Sequence, residues 1–110
     1  MKLIHAYIQP HKLDDVTLAL HGQCGFSVSD VRGRGRGKQA REGEKQSADA
    51  WDFEKHMKLE ICCPDGIAER IVETILTAAH TGLRGDGLIC VVPVEAAIRI
   101  SSGNRGDDAC

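Results

Sequence analysis

At 110 residues with a formal net charge of −2, the chain has room for one domain around a single core. That charge excludes a uniformly basic nucleic-acid binder. An apolar share of 42% with only Tyr7, Phe26, Trp51 and Phe53 as aromatics predicts a core of small aliphatics, with apolar area left over to bury between subunits.

From Lys2 to Gln9, Ile4, Ala6 and Ile8 fall on one face of a strand that Pro10 ends. Leu13, Val16, Thr17 and Leu20 then recur at helical spacing, with Asp14 and Asp15 suited to a first turn and Gly22 to a stop. Phe26 to Val31 reads as a second strand. It runs into Val31-Arg32-Gly33-Arg34-Gly35-Arg36-Gly37-Lys38 and on through Ser47, where six basic residues between Arg32 and Lys45 accompany Glu42 and Glu44. Glycine N–H groups and alternating guanidinium forks suit phosphate or carboxylate. A connection this long within a small domain is usually functional or disordered.

Beyond it, Trp51, Phe53, Met57, Leu59 and Ile61 occupy odd positions, and Asp52, Glu54, Lys58 and Glu60 even ones. This alternation predicts a long third strand ending near Cys62. Pro64-Asp65-Gly66 opens a second helix with Ile67, Ile71, Val72, Ile75 and Leu76 as its expected buried stripe. Thr81-Gly82-Leu83-Arg84-Gly85-Asp86-Gly87 is a second glycine-rich connection, Leu88 to Val92 an apolar fourth strand closed by Pro93. Glu95 to Ser102 has no clear periodicity, and Gly103 to Cys110 is a polar tail.

The cysteines Cys24, Cys62, Cys63, Cys90 and Cys110 make no C-x-x-C pair, so zinc and thioredoxin-type sites are not expected. Cys24 lies beside Gly25 in an expected turn, and most of the set read as small core hydrophobes, while Cys110 is expected to be exposed and is the candidate redox residue. No apolar run approaches the ~20 residues of a membrane span, and no secretory pattern opens the chain, which makes cytoplasmic the default location.

The element order is strand-helix-strand twice, and the halves echo each other: Lys2-Leu3 leads to Pro10 as Lys58-Leu59 leads to Pro64. Two such units pair into one antiparallel sheet with both helices on one face, an α+β, ferredoxin-like fold.

In these elements the chain resembles the PII signalling proteins from end to end, as one domain over 1–110. The matching stretches are Met1 to Asp14, Val28 to Arg36, Thr81 to Gly87 and Val92 to Ile100. The resemblance implies a homotrimer, adenine nucleotides in the clefts between subunits, and a T-loop, about residues 35–53, that docks on a target protein. It implies a signalling protein rather than an enzyme. Carried over by position, Gly33, Gly35 and Arg36 match the phosphate-facing start of the T-loop, and Ser27 and Glu60, with Cys62 nearby, the adenine and ribose side. Gly85, Asp86 and Gly87 match a second phosphate loop, and Arg99 a phosphate-binding arginine supplied by the neighbouring subunit.

The sequence departs from the family pattern in several places. Leu88 stands where a lysine is usual, Ser101 where a second arginine is usual, and Gly37 where a glutamine helps hold magnesium and 2-oxoglutarate. Asp49 replaces the tyrosine that is uridylylated in some members, Ser47 keeps the phosphorylated position, and His56 replaces a lysine. These changes resemble the carboxysome-associated PII-like proteins that respond to bicarbonate. They imply ADP or AMP favoured over ATP, bicarbonate held by Arg34, Arg36, Gly37 and Lys38, and a partner in inorganic-carbon metabolism, with a membrane transporter contacted peripherally as one such setting. The alternative is a nitrogen-regulatory PII protein binding ATP and 2-oxoglutarate. Nucleic-acid binding is disfavoured because the arginine-glycine loop lacks interleaved aromatics and Asp49, Asp52 and Glu54 follow it. A Cys/His enzyme or metal site is disfavoured because His5, His11, His21, His56 and His80 show no ligand spacing.

Overall fold

The computed structural model describes residues 1–34 and 53–110. Strand β1 spans Lys2–Ile8 and helix α1 Leu13–Leu20, with a 3-10 turn over Pro10–Lys12 between them. Strand β2 is Ser27–Gly33, β3 is Glu54–Cys63, helix α2 is Asp65–Ala79 and β4 is Gly87–Pro93. The sheet order is β2-β3-β1-β4 with every neighbouring pair antiparallel. This is the arrangement expected of two split βαβ units, and the ferredoxin-like reading holds.

Period-two alternation divides the sheet into two faces. Ile4, Ala6 and Ile8 of β1 and Leu59, Ile61 and Cys63 of β3 are fully buried beneath the helices, together with Val16 and Leu20 of α1. Burying one such aliphatic side chain stabilises the fold by about 1.5–3 kcal/mol. The predicted stripe of α2 is corrected in part. Its buried positions are Ala68, Ile71, Ile75 and Ala79, whereas Leu76 is exposed. Spacings of three and four residues put the two alanines in line with the isoleucines, so they meet the sheet while Leu76 faces outward.

β3 begins at Glu54, and Phe53, expected on its buried face, is exposed. The segment after β4 forms no strand or helix but folds back on itself. Ile98 bridges Arg105, the Arg99 N–H donates to the Asn104 carbonyl at 2.8 Å, and the Gly106 N–H donates to the Ala97 carbonyl at 3.0 Å. The polar tail carries a 3-10 turn over Gly106–Ala109.

Candidate functional site

The even-numbered residues of β3, namely Glu54, His56, Lys58, Glu60 and Cys62, share the sheet face turned away from the helices. Register brings partners to them from both sides: Ser27 of β2 lies opposite Glu60, and Leu3 of β1 opposite Cys62. These residues line a groove of about 450 Å³, bounded also by Gly25, Phe26, Ala97, Ile98, Ala109 and Cys110. Three of the positions carried over by resemblance, Ser27, Glu60 and Cys62, are thus brought together, and Cys110 joins them. Lys58 lies 3.5 Å from the Glu60 carboxylate and 5.6 Å from the centre of the Tyr7 ring, so the groove edge carries charges of both signs.

Four residues back along the same face, about 13 Å at the rise of a strand, His56 reaches the second glycine-rich connection. Its Nε2 lies 3.3 Å from the Gly85 carbonyl, which also accepts a hydrogen bond from the Gln9 side-chain amide. Antiparallel pairing of Ile8 with Gly87 holds this loop against the end of β1. Gly87 has φ +113°, and a Cβ there would stand 1.7 Å from the Tyr7 carbonyl oxygen, an overlap only glycine avoids. Gly85 has φ +88° and packs against Gln9 and Glu54.

The Asp86 carboxylate is engaged inside its own loop. It accepts from the Thr81 N–H at 2.9 Å, the Gly82 N–H at 3.1 Å and the Thr81 hydroxyl, and lies 3.5 Å from His80 Nδ1. The Thr81 hydroxyl and then its N–H are the main causes that hold Asp86 below the usual carboxylate range. Asp86 therefore shapes the loop, and its acceptor capacity is directed at loop donors. Gly33 closes β2 opposite Glu54 at the same end of the sheet, with Arg34 next to it.

Arg99 sits in the folded-back C-terminal segment with its side chain exposed. Gly35, Arg36, Gly37 and Lys38, the T-loop, and the Ser47 and Asp49 positions lie outside the described residues. Gln9 and Thr81 were not singled out from sequence. Gln9 follows β1 just before Pro10, and only the β1–β4 register places it beside Gly85. Among the described residues no cluster of His, Cys, Asp and Glu suits a metal ion, and no helix is long and apolar enough to cross a membrane.

The profile of the family "Nitrogen regulatory protein P-II" matches residues 1–104. The chain belongs to the PII family. It is 44% identical to the "Nitrogen regulatory protein P-II" of Azospirillum brasilense over 111 aligned residues, covering 99% of each chain. Identity is again 44% with the protein of that name from Rhodospirillum rubrum and 41% with that from Nostoc punctiforme, with the same coverage. PII proteins are signalling regulators, and the exposed groove and glycine loop of this chain are read in that setting. These relatives do not separate the bicarbonate-responsive branch from the nitrogen-regulatory one.

Proposed function

We propose that this PII-family chain acts as a homotrimeric regulator that binds an adenine nucleotide between subunits and transmits its presence through the T-loop to a target protein. The observation that carries the reading is the one face of β3 that joins the Ser27, Glu60 and Cys62 groove to the Gly85–Gly87 loop. Their separation, about 13 Å from Glu60 to His56 along the strand, suits a ligand with a base at one end and phosphates at the other. Gly33, Gly35 and Arg36 would complete the phosphate end, with Arg99 arriving from the neighbouring subunit. Exposed Leu88, Val92 and Ile100 supply apolar area for subunit contact. The protein has no enzymatic role in this account.

For the second ligand, the relatives' name favours nitrogen regulation, with ATP and 2-oxoglutarate as the expected pair. Bicarbonate with ADP or AMP keeps the support of Gly37, Leu88 and Ser101, the last two removing cations from the terminal phosphates. A charged hydrogen bond is worth about 1.5–3 kcal/mol. Calorimetry with ATP, ADP and AMP, each with 2-oxoglutarate, bicarbonate or chloride, separates the two. ATP preferred by about tenfold, or 1.4 kcal/mol, and tightened by 2-oxoglutarate establishes the nitrogen reading. ADP or AMP tightened by bicarbonate supports the carbon reading, for which a carboxysome-associated setting is the proposed one. Absence of binding by all three nucleotides refutes both.

A further inference from the structure

The C-terminal segment meets the groove at one well-defined point. The Cys110 thiol donates to Cys62 Sγ across 3.6 Å, although the two residues are 48 positions apart in sequence. Both cysteines line the groove beside Glu60 and Ser27. The approach is supported from behind by the Ile98–Arg105 bridge, the Gly106 N–H bond to Ala97 and the turn over Gly106–Ala109. Neighbouring Cys63 is buried on the opposite, helix-covered face of β3, and so does not compete for Cys110.

We propose that Cys62 and Cys110 form a redox couple whose disulfide ties the C-terminal segment across the groove and weakens adenine-nucleotide binding. The distance between the sulfurs must close from 3.6 Å to about 2.05 Å, a small movement for an exposed tail residue. The oxidant is a low-molecular-weight disulfide of the glutathione class. The thiolate of one cysteine attacks it, releasing one small thiol and forming a mixed disulfide. The second cysteine, deprotonated in turn, displaces the other small thiol. One protein dithiol and one small disulfide thus become one protein disulfide and two small thiols.

Closure acts on the nucleotide because Cys110 lies over Cys62, where the base is expected to seat. In the reduced state the segment can move aside, and a covalent bond removes that freedom. Although the residue as a whole is exposed, local desolvation first, and then the hydrogen bond to Cys62, push the Cys110 thiol up to about 11. Reduced Cys110 is therefore a neutral hydrogen-bond donor at neutral pH, and because the thiolate is the nucleophile its exchange with a small disulfide is slow.

The effect on nucleotide rests on the function proposed above, whereas the disulfide itself does not, so the experiment reads the two separately. Full-length protein is equilibrated in mixtures of glutathione and glutathione disulfide, alkylated, digested without reduction and mapped by mass. In parallel, ADP affinity is measured on oxidised and reduced protein. The expected result is a linked Cys62–Cys110 peptide, an ADP affinity lowered by about threefold or more on oxidation, and recovery with reductant. The variant Cys110→Ser should bind ADP with no glutathione dependence, and in Cys62→Ser protein Cys110 should be alkylated in every glutathione mixture. Separate alkylation of Cys62 and Cys110 in the most oxidising mixture overturns the couple, as does linkage of either to a different cysteine. A linked peptide with unchanged ADP affinity overturns the gating. If reduced protein binds no ADP, the nucleotide reading fails, and the peptide map still decides the couple.

Discussion

Replacing Gly87 with alanine should damage the protein more than any other single methyl addition at the described glycines. The new Cβ would stand 1.7 Å from the Tyr7 carbonyl oxygen and 2.8 Å from its carbon. Both are backbone atoms of the central strand β1, so no flexible side chain can move aside. Gly87 also has φ +113°, where a residue with a Cβ is strained by about 1–3 kcal/mol. Relieving the overlap means separating Gly87 from its partner Ile8 at the start of the β1–β4 ladder. Strain and lost pairing together predict destabilisation of about 3 kcal/mol. At about 4–8 °C per kcal/mol for domains slightly smaller than this one, Tm should fall by more than 10 °C.

Gly66 provides the internal control. It lies in the first turn of α2 without positive φ, and a Cβ there meets nothing within 4 Å. Gly66→Ala should raise stability by about 0.4–1 kcal/mol through the unfolded chain's lost freedom. Both variants are compared by urea and thermal unfolding at equal chain concentration. A Gly87→Ala protein within about 0.5 kcal/mol of the parent would refute the claim that this backbone approach fixes the loop.

Ile75→Ala removes a fully buried side chain between α2 and the sheet, and should cost about 2–5 kcal/mol in denaturant unfolding. Asp86→Asn should loosen the 81–86 loop and weaken nucleotide binding. Because the folded state depresses the Asp86 pKa, its stabilising contribution is present above the ordinary carboxylate value and is lost as pH falls through the depressed one. The stability gap between parent and Asp86→Asn, followed by thermal melting, should accordingly narrow below about pH 4. Arg99→Ala should weaken ATP, ADP and AMP alike while leaving adenosine unaffected, as calorimetry would show.

Much of the fold was legible because alternation in β1 and β3 is strict, and every second residue from Leu59 to Cys63 is buried. The reading of α2 went astray by weighting side-chain size over position. Ala68 and Ala79 occupy the core-facing line that Leu76 misses by one residue. The groove was legible as a set of matched positions, Ser27, Glu60 and Cys62, but not as a shape. Its remaining walls come from Phe26, Ala97 and the chain's C-terminal turn, brought together only by folding. Cys110 was singled out for its expected exposure, whereas its contact with Cys62 depends on a chain reversal secured by backbone hydrogen bonds that composition does not signal. Asp86 was assigned to the phosphate loop by position. Its hydrogen bonds to Thr81 and Gly82 add that its carboxylate organises the loop's own N–H groups.

The central claim is that the nucleotide site straddles two chains, with Glu60 supplied by one and Arg99 by the next. Mixed assemblies of two binding-defective variants test it most directly. Glu60→Ala and Arg99→Ala proteins are each prepared alone, then unfolded together, refolded as a mixture, and titrated with ADP. The account predicts that each variant alone loses affinity and that the mixture regains parent-like sites, at interfaces pairing an intact Glu60 with an intact Arg99. A mixture that binds no better than the two variants measured separately would place both residues in one chain's site, or outside it, and would contradict the account.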